Sequence, residues 1–532
     1  MWLVAFFLAQ APAADSCTSP EATKAFRAGF EAQQGMRTSE ALEKYTACLK
    51  LEPTCVACQY EVGWTHWSRS DWPSCVAAWE ATLKLDPEHN AAATWLPNAK
   101  NNGSGVAQTL SKTGLRVPMG TSSRPSAAPV KLELVARWQN YNARPTAEGD
   151  HHDDYVHSPK SARFSPDGSR VYVNSLEGFH TLVFDPRALK KVHNIPHIFK
   201  AADSELFQGE TSIFDYPYNR KSPSGDPNQF SGKPVESEIS HDKLLWVPYY
   251  RRDFDRGATS PSAVSIIDIT TNEIVRVLPT GPIPKYVAAS PDGNWVAISH
   301  WGDNTLGVVD TSSGDPQTFE YRPDRLVVEK ILSQSGLAGT NRDSSCGFCL
   351  RGTVFTNDSK TLLVARMGSG GGIAGFDVAS WKYLGSIAGE PETPRHLVAS
   401  KDGKWLYFTS NKSGYVTKIK MKTALEHLYE ADGKKVQIDD WQSVHVGSGA
   451  RTLEASPDER YLFVALNGRA EVAVVDTEKM EVVSRVRTDS YAVGLAISPD
   501  GKQLWTTSQG RSNKGGNSIC VFSVSYPEDE PE

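Results

Sequence analysis

Seven times along this chain a run of β-forming residues enters the same kind of tight turn. The turns are Ser165-Pro166-Asp167-Gly168, Ser240-His241-Asp242-Lys243, Ser290-Pro291-Asp292-Gly293, Thr356-Asn357-Asp358-Ser359, Ser400-Lys401-Asp402-Gly403, Ser456-Pro457-Asp458-Glu459 and Ser498-Pro499-Asp500-Gly501. Pro fixes φ at the second position, and Gly accepts the left-handed conformation that closes the hairpin. The four irregular copies keep the Asp. After each turn comes a strand such as Val171-Tyr172-Val173, Trp295-Val296-Ala297-Ile298 or Trp405-Leu406-Tyr407-Phe408, then a polar loop and a second strand. That strand often ends in Asp (Asp185, Asp268, Asp310, Asp377, Asp476), which can start the next turn. A unit of a few short strands cannot bury a face alone. Repetition at this length implies radial stacking into a mainly β, seven-bladed propeller of four-stranded blades.

The segment Glu459-Arg460-Tyr461-Leu462-Phe463-Val464-Ala465-Leu466-Asn467, with Val474-Val475-Asp476-Thr477 after it, resembles the YVTN-type β-propeller repeat, as does Arg170-Val171-Tyr172-Val173-Asn174. The resemblance covers residues 131–525 and implies the fold. It does not imply one activity, because this family spans binding proteins, surface proteins and relatives of enzymes. The last copy supplies only three strands. Lys131-Leu132-Glu133-Leu134-Val135-Ala136-Arg137-Trp138 alternates apolar with polar and is expected beside the C-terminal strand, closing one blade from both ends of the domain (130–525).

Residues 1–13 read as an export signal, with an apolar run too short to span a bilayer and a small-residue cleavage site at Ala11-Pro12-Ala13. A lipid anchor at Cys17 is the minority reading. Residues 18–100 carry a second repeat, of period 34: Gly29 and Gly63, Ala41 and Cys75, Tyr45 and Trp79, Leu49 and Leu83, Pro53 and Pro87. Period, small residues and terminal Pro resemble the tetratricopeptide (TPR) helix pair, which implies contact with a protein partner. Residues 101–129 read as a flexible linker and 526–532 as an acidic tail. The mature chain has no transmembrane segment by this reading.

Eight cysteines suit an oxidising compartment, periplasmic or extracellular, and disulfides are favoured in the helical segment. Cys55-Val56-Ala57-Cys58 is half of a zinc site only if a second pair joins it. The other pair of that spacing, Cys346-Gly347-Phe348-Cys349, lies far along the chain and is expected to be a local disulfide. With a net charge of −6, the whole chain gives no reason to expect nucleic acid or an anionic membrane.

Aligned on their turns, the seven copies reveal a column. Five residues before each turn stand Lys160, Val235, Lys285, Arg351, Arg395, Arg451 and Val493. Lys and Arg make up 56 of 532 residues, so chance would place fewer than one among seven. The column sits where the chain enters the innermost strand, so these charges are expected to converge on one end of the central channel. Loops eleven residues after each turn reach the same face with Arg251, Trp301, Asn411, Asn467 and Gln509, and His300 and Arg366 stand one position earlier. His396 follows Arg395. The insertions 138–159, 199–234, 249–262 and 322–350 are expected on this face, and 421–440 on the opposite one.

Such a ring concentrates anions, with Arg offering two-pronged bonding. The expected ligand is an anionic small molecule, a glycan or an acidic peptide. The competing reading pairs each charge with an acidic residue of the next blade, such as Glu177, Asp303 or Asp489. The functional alternatives are a lactonase-like hydrolase using His300 and His396, or a metal- or redox-dependent enzyme using the loop with His151, His152, Asp153 and His157. No nucleophile motif accompanies them, and no cofactor is expected. Nucleic acid is disfavoured because the face has few aromatic residues beyond Tyr249, Tyr250 and Trp301.

Overall fold

The computed structural model describes residues 17–34, 38–68, 71–103, 115–124, 128–208, 229–252, 262–332, 342–343, 345–391, 393–510 and 516–527. The expected export signal lies outside the described residues, as does most of the acidic tail. Two compact units divide the chain, Met1–Lys112 and Thr113–Glu532.

The first unit is helical: α1 (Pro20–Gln34), α2 (Thr38–Leu51), α3 (Val56–Ser68), α4 (Trp72–Leu85) and α5 (Asn90–Gly103), each packed against the next. The repeated small residues mark the contacts. A Cβ on Gly29 would lie 2.7 Å from the Tyr45 ring, and one on Gly63 would lie 2.2 Å from the Trp79 ring. Disulfides Cys17–Cys55 and Cys48–Cys58 tie the segment before α1, and α2, to the start of α3.

The second unit is the seven-bladed propeller. Its innermost strands are Pro159–Phe164, Glu238–Ser240, Pro284–Ala289, Leu350–Phe355, Pro394–Ala399, Ala450–Ala455 and Ala492–Ile497. Blades are numbered 1 to 7 in that order. Blade 7 closes the ring as the sequence implied, because Lys131–Gln139 pairs antiparallel with Ser518–Ser525, setting Leu132 opposite Val524 and Trp138 opposite Ile519. The aromatic core continues across the junction. Trp138 lies 4.7 Å from Phe184 of blade 1 and 5.5 Å from Trp505, centroid to centroid.

A buried carboxylate reinforces this seam. Asp489 accepts from Val117 N (2.9 Å), Tyr141 Oη (2.8 Å) and Ser518 Oγ (2.7 Å), and lies beside Arg137. Residues 115–124, within the stretch expected as linker, are laid along this blade. Gly120 N donates to Leu134 O, Ser123 N to Leu132 O, and Val117 is 2% exposed.

The turns are held by one repeated set of bonds. In blade 1, Ser165 Oγ donates to Asp167 Oδ1 (2.6 Å) and accepts from Arg170 N (2.9 Å), while Asp167 Oδ1 accepts from Ser169 N (3.0 Å). The same set recurs at Ser290, Thr356, Ser400, Ser456 and Ser498. Blade 2 differs. His241 and Asp242 both take positive φ, 52° and 54°, which is the two-residue primed turn rather than the Ser-to-Asp one.

The insertion 421–440 begins with α6 (Met421–Glu430), whose Leu428 fills the space above Gly375 in blade 4.

Candidate functional site at the channel mouth

In six blades the pairing of the innermost strand with its neighbour shifts register near the strand's start, between Pro159 and Ala162, Pro284 and Tyr286, Leu350 and Thr353, Pro394 and Leu397, Ala450 and Leu453, and Ala492 and Gly494. A bulge re-aims side chains and leaves backbone groups outside the ladder. Here the basic column sits inside the bulges. Carbonyls of this column, in bulged blades and in blade 2 alike, are taken up by the preceding blade around the ring. Asn174 Nδ2 donates to Val235 O (3.2 Å), Ser299 Oγ to Arg351 O (3.0 Å), Thr409 Oγ1 to Arg451 O (2.7 Å) and Thr507 Oγ1 to Lys160 O (2.8 Å). Each donor stands nine residues after its turn, a polar column that was readable in the sequence and was missed.

The five cations are brought together. Burial, then Arg451, Arg351 and Lys285, hold the Lys160 ammonium well below the ordinary lysine range. Burial likewise lowers Lys285, with Arg351 and Arg395 repelling it and Asp343 opposing the fall. Arg351 is 6% exposed, and its Nε and Nη1 meet no hydrogen-bond partner among the described residues. Arg451 is 8% exposed, and Arg395 donates to Met367 Sδ (3.5 Å). Trp301 stands over the group, 5.2 Å from Lys285 Nζ and 5.5 Å from Arg351 Cζ.

Sequence reasoning missed Asp343. Its carboxylate accepts from Lys285 Nζ (3.3 Å) and from Tyr250 Oη, and its carbonyl accepts from Trp301 Nε1 (3.1 Å). The loop carrying it is pinned by Arg342, which donates to Gly302 O and Ser345 O (both 2.6 Å), and by the expected disulfide Cys346–Cys349.

A second layer lies deeper in the channel, lined by Arg163, Glu236, Tyr286, His396 and Glu454. Arg163 donates to Glu238 Oε2 (3.1 Å) and Ser237 O. Burial raises the Glu454 carboxyl to about 7. Leu453 N donates to His396 Nδ1 (3.3 Å), which leaves the ring proton on Nε2, facing Tyr286 Oη. Burial pushes His396 down to about 4.

Other residues expected on the face lie elsewhere. His300 is fully buried inside blade 3, with Nε2 against Thr280 Oγ1 and Nδ1 against Thr305 Oγ1, both at 2.8 Å. Arg366 is 1% exposed and turned into blade 4, bonded to Glu329 and Ser386 with Phe348 beneath it. The physical reason is parity, since the residue before the loop still belongs to the strand and points between blades. Asn411 ties blade 5 to blade 6 through Nδ2 to Ala450 O (3.0 Å). Asn467 and Gln509 are half-buried and hold the loop through their backbone N–H groups. Of Arg251 the backbone alone is described, at the end of Leu244–Arg252.

The histidine loop disperses. His151 lies on the Trp138 ring (5.3 Å), His152 pairs with Asp154, Asp153 pairs with Lys191 (2.6 Å), and His157 faces Asn140. The acids offered as partners of the ring are also engaged elsewhere: Glu177 with Lys233 (2.6 Å), Asp303 with Arg325 (3.3 Å), and Asp489 with Arg137.

No known family profile matches the chain. Over 263 residues it is 26% identical to Antigen Lp49 of Leptospira interrogans serogroup Icterohaemorrhagiae serovar copenhageni (strain Fiocruz L1-130), a match covering 46% of this chain and 49% of that protein. The chain therefore spans about half the length of this curated relative. Among solved structures, it is similar to Kuenenia stuttgartiensis hydrazine synthase, with a TM-score of 0.46 and 16% identity over 71% of this chain and 99% of that one. It is also similar to the Cps50 (Swd1) β-propeller domain of Myceliophteria thermophila, with a TM-score of 0.47 and 11% identity over 69% and 98% of the two chains.

Proposed function

We propose that the propeller, built on YVTN-type repeats, is a recognition protein that binds a carboxylate-bearing anion at the basic mouth of its channel. The observation that carries this reading is Arg351, a buried guanidinium among four other basic side chains with two donors that meet no partner among the described residues. An orphaned buried donor costs about 1–3 kcal/mol, and more when charged. Two carboxylates, Glu236 and Asp343, act on Arg351. An anion seated between Lys160, Arg351 and Arg451 would supply the missing acceptors, and Arg suits carboxylate in two-pronged geometry. Asp343, held by Lys285 and Tyr250, is an internal example of the group that this mouth accepts.

The helical unit is read as a TPR-like module for a protein partner, supported by its period and by the Gly29–Tyr45 and Gly63–Trp79 contacts. Three disulfides support a location outside the cytoplasm, as does a relative named as an antigen.

Calorimetric titration with citrate, with phosphate as comparison, tests the mouth. Binding is expected to weaken with salt and to vanish in Arg351→Ala/Arg395→Ala/Arg451→Ala. Citrate binding that is unchanged in this triple variant, or absent in the wild-type protein, overturns the reading.

A further inference from the structure

Four cysteines of the helical unit meet at one point. Cys17 precedes α1, Cys48 lies in the last turn of α2, Cys55 between α2 and α3, and Cys58 in the first turn of α3. All four are buried, 7% exposed at most, and their Sγ atoms lie within 4.8 Å of one another. Bonded pairs join Cys17 to Cys55 and Cys48 to Cys58. Across the pairs, Cys17 Sγ stands 3.8 Å from Cys48 Sγ and 3.8 Å from Cys58 Sγ. Four thiolates bound tetrahedrally to Zn²⁺, with Zn–S of about 2.3 Å, lie about 3.8 Å apart. Two edges of that tetrahedron are therefore already present. The sequence showed only the Cys55-x-x-Cys58 half. The other half is not a second motif of that spacing but Cys17 and Cys48, delivered separately by the packing of α1 and α2 against α3.

We propose that, once its two disulfides are reduced, this cluster is a four-thiolate site for one Zn²⁺ ion. The helical unit is then clasped either by two disulfides or by a metal, and the two states exclude each other. Reduction by a phosphine or dithiol delivers two electrons and two protons to each disulfide, and the reductant becomes phosphine oxide or disulfide. Zinc binding then forms four Zn–S bonds and releases the thiol protons to solvent. A small-molecule disulfide oxidant, reduced to its two thiols for each protein disulfide it re-forms, takes two electrons from each thiolate pair and frees the ion. Because the ligands come from separate segments of the chain, binding free energy is also folding free energy for this unit.

The test uses the full chain, reduced anaerobically with a phosphine and titrated with Co²⁺. The expected result is one Co²⁺ per chain with an intense thiolate-to-cobalt charge-transfer band and tetrahedral d–d bands, both erased by one equivalent of Zn²⁺. Cys346→Ser/Cys349→Ser should keep these signals, and Cys48→Ser/Cys58→Ser should lose them. In case the latter variant does not fold, the melting of reduced wild-type helices is followed with and without Zn²⁺, and a rise with zinc is expected. Absence of the band and of the zinc-induced rise in the reduced wild-type protein overturns the proposal. So does a band that depends on Cys346 and Cys349.

Discussion

Lys160 shows most directly how the ring stores a response in one side chain. It is buried, three cations repel it, and its ammonium is held well below the ordinary lysine range. The charged form is disfavoured until an anion arrives. An anion at the mouth restores that form, so binding should take up a proton in the window between the lowered value and the ordinary one. Citrate titrations in buffers of differing ionisation enthalpy should report proton uptake. Affinity should fall as pH rises, and Lys160→Met should reduce the uptake. An observed enthalpy that is independent of the buffer would remove Lys160 from the site. Single residues also explain how two of the three turns without Gly are held. Ser359 and Glu459 take φ of 59°, strained for a side chain, yet Ser359 Oγ accepts from Asp292 N and Glu459 Oε1 from Lys401 N. Each therefore ties its turn to that of the preceding blade.

At the scale of elements, the bulged inner strand fixes both the channel and the ring. A Cβ on Gly352 would lie 2.6 Å from Arg395 O and 2.7 Å from Leu397 N, backbone that cannot swing aside. Gly352→Ala should therefore cost roughly 1–3 kcal/mol, as overpacking does. It should also weaken citrate binding by moving the strand that carries Arg395. Chemical denaturation and calorimetry on the same sample separate the two effects. The closing seam makes a stronger prediction. Asp489 is fully buried, accepts three hydrogen bonds and balances Arg137. Asp489→Ala should destabilise the propeller by orphaning the Val117, Tyr141 and Ser518 donors, at about 1–3 kcal/mol each, while Arg137 keeps Asp150. Loss of both the N-terminal strand and the 115–124 strap from blade 7 should then appear as fast amide exchange at Leu132 and Leu134. Slow exchange there would show that the apolar pairing alone holds the ring closed.

At the scale of the whole molecule, what was legible in sequence was what repeats. Turn chemistry recurs often enough to fix blade number, closure and the basic column, because each copy restates the same local bonds. The rest followed rules that no repeat displays. His300 and Arg366 were misplaced because one step along a strand turns a side chain from the loop into the space between blades. Asp343 was invisible because it sits in an insertion with no counterpart in the other blades. Arg163, Glu238 and Glu454 share a column with Ala288, Val354, Val398 and Ala496, so the deeper channel layer mixes charges of both signs with apolar residues and shows no single residue type. The helical unit, compact by itself, has a pH response of its own. Glu61 accepts from Gln33 Nε2 (2.8 Å) in a buried network with Thr65, and burial raises its carboxyl to about 7. The folded state thus favours the protonated form more than the unfolded state does. Its contribution is fully present below the ordinary carboxylate value of about 4.5 and is lost as pH rises through about 7. Helix melting followed by circular dichroism should fall across that interval, with a slope no steeper than about 1.4 kcal/mol per pH unit for one proton. Glu61→Gln keeps an acceptor for Gln33 and removes the ionisation, so it should flatten the slope and raise the melting temperature above neutral pH. A slope unchanged in Glu61→Gln would place its origin in another group.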